Sequence, residues 1–285
     1  MLELLLEPFL YNYVFYSLLV ATIIGAATAF VSVYLIASGW SLLGDALSHA
    51  VVPGVALSYI FAAPYVIGAN IAAIIAIIIM QLLKKFTILK KDAILGLVFT
   101  SFLSYGLIIA SIYPREIRIT TILFGNLLTL NNQEIIQTIA ITITIMFIIA
   151  ILRKNLMLLF LDEIQAKIVG INITLLKNIF FLLLCMIIIS ALQSIGALLI
   201  VSMLITPGAT ASLLSDDFNK VTIIAIIIGI FTGFIGAYIS YFLNVPTSAM
   251  IVVMQGALFF ITFIFAPKYG LLKKYLRMKK YAKIS

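Results

Sequence analysis

Two side chains in this sequence combine a metal-binding chemistry with an unusual setting. Asp45 and His49 stand four residues apart in the stretch GDALSHAVVPGVAL, residues 44–57, which otherwise reads as a membrane-spanning helix. Positions i and i+4 share one face of a helix, so a carboxylate and an imidazole project together. Oxygen and nitrogen donors of this kind suit divalent first-row metal ions. A carboxylate inside a bilayer costs roughly 2.5–3.5 kcal/mol on insertion scales, which favours a functional reason for keeping it. The plainer reading is an Asp–His hydrogen bond packed against a neighbouring helix, a pair that apolar packing would replace at little cost.

One carboxylate and one imidazole are too few ligands for a stable site. A two-fold axis beside this helix would supply two of each, and two-fold dimers are the commonest symmetric assembly. Ser48, next to His49, could add a hydroxyl or could be a small residue at a helix contact. Pro53 and Gly54 follow one turn on, where proline removes a backbone hydrogen bond and frees carbonyls toward a cavity.

Other chemistries lack their residues. The chain has a single histidine and no HExxH, which cannot build a zinc hydrolase site within one copy. It has no GxxxxGK[ST] phosphate loop, so ATP hydrolysis, if used, belongs to another subunit. Its one cysteine, Cys185, excludes an intrachain disulfide and a thiolate cage, and lies in the apolar run FFLLLCMIII. Proton coupling would need further acids deep inside the spans, and of the ten acidic residues all but Asp45 fall in loops or at span ends.

The elements that must hold the pair are membrane helices. The chain is 64% hydrophobic and 10% charged over 285 residues, with mean hydropathy +1.26. Apolar runs long enough to span a bilayer recur throughout, predicting an all-α polytopic bundle forming one transmembrane domain over residues 1–285. The expected spans are 10–37, 41–62, 64–84, 91–112, 133–152, 174–193, 196–215, 221–244 and 247–266. The seventh is interrupted by Thr206, Pro207 and Gly208, so it reads as a broken or re-entrant helix, and omitting it leaves eight. The N-terminal MLELLLEPFL has no basic residue and no small-residue cleavage site, and reads as the lead-in to the first helix.

The net charge of +8 is topological and does not indicate a nucleic-acid partner. Lys84, Lys85, Lys90 and Lys91, then Arg153, Lys154, Lys167 and Lys177, then the tail over 267–285, flank hydrophobic spans as cytoplasmic loops do. Nine crossings put all three clusters on the cytoplasmic side and the N-terminus outside. Eight crossings would turn the basic tail outward.

Two connections exceed a turn. The outward one, 113–133, carries Arg115, Glu116 and Arg118 before ILFGNLLTL, which is too short to cross and reads as a re-entrant or interfacial helix. The inward one, 153–173, places Leu161, Ile164 and Ile168 at helical spacing, with Asp162 and Glu163 at a helix start and Gly170 at its end. Such a helix could dock on a soluble partner, lie on the membrane or serve as a solvated connector.

Together these stretches resemble a known family. GDALSHAVVPGVAL is similar to the signature of the metal-ion permeases of bacterial ATP-binding-cassette importers, which take up manganese, zinc or iron. LFGNLL at 123–128, LDEIQAKIVGIN at 161–172, SALQSIGALLIVSMLITPGATASLL at 190–214 and FITFIFAPKYG at 260–270 agree in the same order. The chain departs at Gly208, where the family often has alanine, and near Ser248, where it often has glycine.

The resemblance implies a type II importer-like bundle in the bacterial inner membrane, working as a homodimer or a dimer with a close paralogue. It implies a cytoplasmic ATP-hydrolysing subunit, an extracytoplasmic metal-binding protein and no permanently bound cofactor. Asp45 and His49 would line the central pathway from both protomers. Residues 161–172 would be the coupling helix, with Leu161, Asp162, Glu163, Ile164, Lys167, Ile168 and Gly170 meeting the ATPase. The match over 192–211 is to manganese-type members, and an Asp/His site without thiolate suits a harder ion, so manganese is expected first, zinc next and iron third. A stand-alone metal channel or secondary carrier is the alternative.

Overall fold

The computed structural model describes residues 7–113, 127, 130–267 and 270–273. The elements are α1 (Asn12–Ala37), α2 (Leu43–Ala50), α3 (Val52–Ile60), α4 (Tyr65–Phe86), α5 (Lys91–Ile112), α6 (Asn132–Leu161), α7 (Glu163–Ile168), α8 (Ile173–Leu214), α9 (Phe218–Leu243) and α10 (Thr247–Phe265). Among the described residues there is no strand, and nine stretches are long and apolar enough to span a bilayer. The expectation for 122–130, and that for the basic tail, falls almost wholly outside the described residues.

Helix α1 is the axis of the bundle. It is apolar all round, as a helix enclosed by others must be, and α9, α8 and α6 pack on it. Because lipid is as apolar as the helices, contact in a bilayer depends on close fit, which small residues allow. Gly25 and Gly229 face each other across α1 and α9, and a Cβ on Gly25 would sit 2.5 Å from the Gly229 carbonyl oxygen. One turn on, a Cβ on Gly233 would sit 2.6 Å from the Ala21 carbonyl oxygen. Gly229→Val therefore drives a side chain into backbone that cannot move aside. It should destabilise the protein by at least the ~1–3 kcal/mol of core overpacking, read as a lower unfolding temperature in detergent. Gly256→Ala, at a glycine with nothing within 4 Å of its Cβ position, should leave that temperature unchanged or raise it.

The seventh span differs from expectation. Helix α8 runs through Pro207 unbroken, and its departure from helical geometry lies at Gly196, with φ 77° and ψ 163°. That left-handed φ is open to glycine and strained for other residues. The chain reverses there. Phe180, before the bend, packs 6.0 Å from the Tyr34 ring of α1, while Gly208, after it, abuts Ser32 of the same helix. The two halves of α8 are thus two spans, Ile173–Leu192 and Ser194–Leu214.

The inward connection is also shorter than expected. α6 extends through Arg153 and Lys154 to Leu161, so 153–161 is helix and the connection proper begins at Asp162. At 1.5 Å per residue, its 30 residues reach about 45 Å, well beyond a hydrocarbon core of about 30 Å. The two basic clusters read as cytoplasmic meet at one end of the bundle: Lys84 and Lys91 line the same cavity as Lys177.

Candidate metal pathway

The sequence that begins the site is a turn at Gly39 (φ 66°), which reverses the chain from α1 into α2. Leu43, Ala46, Leu47 and Ala50 point α2 into the protomer and are buried. The opposite stripe is Leu42, Asp45 and His49. Leu42 is exposed, and the side chains of Asp45 and His49 retain 35% and 19% of their accessible surface. Asp45 lies in the first turn of α2 and His49 in its last, the ends at which the helix dipole favours negative and positive charge respectively.

The pair is arranged as the i, i+4 spacing requires. Nε2 of His49 lies 3.4 Å from Oδ1 of Asp45, too long for a strong hydrogen bond and short enough for one ion to touch both groups. The imidazole leans on Phe99 of α5, ring centroids 4.8 Å apart, which holds its plane. Nδ1 is buried with no hydrogen-bond partner, an unmet cost of about 1–3 kcal/mol. Among the described residues no three metal-ligating side chains cluster within one protomer.

Ser48, Pro53 and Gly54, read from the sequence as supporting the pathway, are all buried within the protomer. Ser48 is fully buried, and its hydroxyl donates to the Gly44 carbonyl at 2.7 Å. Pro53 starts α3 after the break at Val51, where a missing N–H is tolerated. It is buried against Gly106 of α5, while Gly54 meets Gly68 of α4 backbone to backbone. Pro53 and Gly54 thereby seat α3 on α5 and α4, while Ser48 is engaged within α2. Sequence reasoning missed Phe99. It also missed the exposed face of α5, on which Gly96, Thr100 and Ser104 recur every four residues. That small and polar repeat in an apolar helix was the available signal.

At the far end of α6, α7 is a capped unit. The Asp162 side chain accepts from the Ile164 and Gln165 backbone N–H groups, both at 3.0 Å. Gly170, at φ 85°, closes it: its N–H donates to the Lys167 carbonyl at 3.1 Å, and that of Ile171 to Ala166 at 3.0 Å. This is the Schellman pattern. Lys177 bonds Glu163 at 2.7 Å, and that hydrogen bond holds the Glu163 carboxyl below its usual range. Only Ala166 faces inward, whereas Leu161, Ile164, Ile168 and Val169 are 55–79% exposed. Lys167 is exposed beside them.

Comparison with known proteins decides the family. The model of the "ABC 3 transport family" matches residues 10–266. This chain belongs to the ABC 3 transport family. It is a transmembrane permease of that metal-transport family, a multi-pass protein of the bacterial inner membrane. The family member YfeC of Yersinia pestis, a chelated iron transport system membrane protein, is 44% identical over 272 residues, covering 95% of this chain and 92% of YfeC. MntB of Synechocystis, a manganese transport system membrane protein, is 38% identical over 275 residues, covering 96% and 90%. Among solved structures, PsaBC from Streptococcus pneumoniae in complex with Fab aligns with TM-score 0.87 at 32% identity, covering 98% of this chain and all of that one.

Proposed function

We propose that this protein is the membrane-spanning half of an ATP-driven importer for a divalent first-row metal ion. Manganese is the favoured cargo, and zinc follows it. Two copies would bring Asp45 and His49 to a common axis, giving two carboxylates and two imidazoles around one ion. The observation that carries this reading is the Asp45–His49 pair itself, 3.4 Å apart on an open helix face. No apolar function accounts for a carboxylate and the sole histidine together there. Ligands of this hardness suit manganese, and the same donors serve ferrous iron, a reading favoured by the 44% identity to a relative named for chelated iron.

Energy would come from a separate cytoplasmic ATPase docked on α7, and ions from an extracytoplasmic metal-binding protein. The capped α7 supports that reading, because its apolar face is exposed among the described residues. The test is uptake into proteoliposomes holding the permease with its ATPase and metal-binding protein. Manganese should accumulate only with ATP, and ferrous iron or zinc should compete in proportion to its affinity. ATP-independent, gradient-driven uptake by the permease alone would instead establish a channel or secondary carrier.

A further inference from the structure

A cavity of about 420 Å³ opens at the end of the bundle where α4, α5, α6 and α8 meet the turn between α1 and α2. That size is within the range of small-ligand pockets, and its lining is sharply divided. Its walls toward the membrane are apolar, with Leu43, Ile77, Met80 and Phe181. Its rim carries three lysines, Lys84, Lys91 and Lys177, against one carboxylate, Glu163. Glu163 is already held by Lys177 at 2.7 Å. Lys84 and Lys91 instead approach one aromatic ring, their Nζ atoms 5.2 and 5.1 Å from the centre of Trp40. Lys91 also reaches the Ser38 carbonyl at 3.4 Å.

Cation–π contacts hold two ammonium groups near each other without neutralising either. A site in which three ammonium groups face a single carboxylate above an apolar floor is complementary to an anion attached to an apolar body. We propose that this cavity binds a phosphate-bearing anion between Lys84 and Lys91. The apolar floor favours an anionic phospholipid, whose phosphodiester would sit at the rim and whose glycerol and first methylenes would enter below. Tryptophan and lysine at the ends of spanning helices mark headgroup depth, and basic clefts between such helices are where anionic headgroups lodge. A bound lipid would also tie the foot of α7, through Lys177 and Glu163, to the turn that leads into α2.

Trp40 is the only tryptophan in the chain, so its fluorescence reports this cavity directly. The full-length protein would be reconstituted in phosphatidylcholine vesicles containing either dibrominated phosphatidylglycerol or dibrominated phosphatidylcholine at equal mole fraction. Phosphatidylglycerol should quench Trp40 at a much lower mole fraction. Lys84→Ala with Lys91→Ala should weaken that preference by roughly 30-fold, about tenfold or less for each lysine near the headgroups. Lys154→Ala with Lys220→Ala, at exposed lysines elsewhere, should leave it unchanged. Inorganic phosphate added to vesicles of phosphatidylcholine alone tests the other source. A saturable shift in Trp40 emission that needs Lys84 and Lys91, without phosphatidylglycerol preference, would assign the site to free phosphate.

Equal quenching by both lipids with no response to phosphate would overturn the proposal, as would a preference surviving the double lysine variant. A Trp40 response only on adding the ATPase would also overturn it, because the cavity would then receive a partner's acidic side chain. The comparison of the two lipids uses the unmodified protein, so it stands even where the double variant fails to fold.

Discussion

Asp45→Ala and His49→Ala should each reduce metal uptake to background while leaving the permease folded, inserted and dimeric. In the proposed two-copy site each change would remove one ligand type from both protomers, so four ligands would fall to two. Loss of supporting groups around a metal site costs 10–100-fold in affinity, and loss of direct ligands should exceed about 100-fold. The fold should hardly notice. Asp45 and His49 lie on the partly exposed side of α2, where His49 gives up only its contact with Phe99, whereas the main packing side is Leu43, Ala46, Leu47 and Ala50. Removing the carboxylate also removes a charge that is costly in the bilayer, so Asp45→Ala should equal or exceed the parent in thermal stability. Ser48→Ala separates this reading from general damage to the helix. Its hydroxyl is engaged with Gly44, and the variant should transport at close to the parental rate. Uptake is measured in a metal-starved strain and membrane abundance by immunoblot. Near-normal uptake by both Asp45→Ala and His49→Ala would remove them from the pathway.

The helical spans were legible because each is a long apolar run ended by charge or turn residues. The expected 247–266 is Thr247–Phe265 in the structure, and 221–244 is Phe218–Leu243. The pairing of Asp45 with His49 was legible because i, i+4 geometry is local. What failed was long-range. Thr206, Pro207 and Gly208 look like a break, since proline usually disrupts a helix interior, yet the bend is at Gly196. Sequence alone does not reveal which glycine takes a positive φ. Arg153 and Lys154 read as the end of a span, but α6 is long enough to carry them past the hydrocarbon and continue to Leu161. The packing partners of Pro53 and Gly54 were not legible either. Their contacts with Gly106 and Gly68 depend on α4 and α5 arriving from later in the chain. The Trp40 cavity draws on several separate segments, and no local pattern announces it.

The capped helix α7 gives the other large effect. Ile164→Asp should break the complex with the ATPase, or let ATP be hydrolysed without transport, while the permease itself stays intact. Ile164 is 75% exposed in the isolated protomer, so an aspartate there meets water and costs the permease almost nothing. In a docked complex the same carboxylate would be buried among apolar groups with no cation built to receive it. Such a charge at an interface costs about 2–5 kcal/mol, or roughly 30-fold to several thousandfold in affinity. Helix geometry should survive, because Asp162 caps one end through the Ile164 and Gln165 backbone N–H groups, which the substitution keeps, and Gly170 closes the other. Val169 is 70% exposed, close to the same face, and Val169→Asp should act in the same direction. A change to Lys167, a solvated charge on the exposed rim, should cost no more than about 1 kcal/mol. Co-purification of tagged ATPase measures docking, and the ratio of ATP hydrolysed to metal transported measures coupling. An Ile164→Asp complex that assembles and transports at the parental rate would make α7 a solvated connector, with energy entering the permease through another surface.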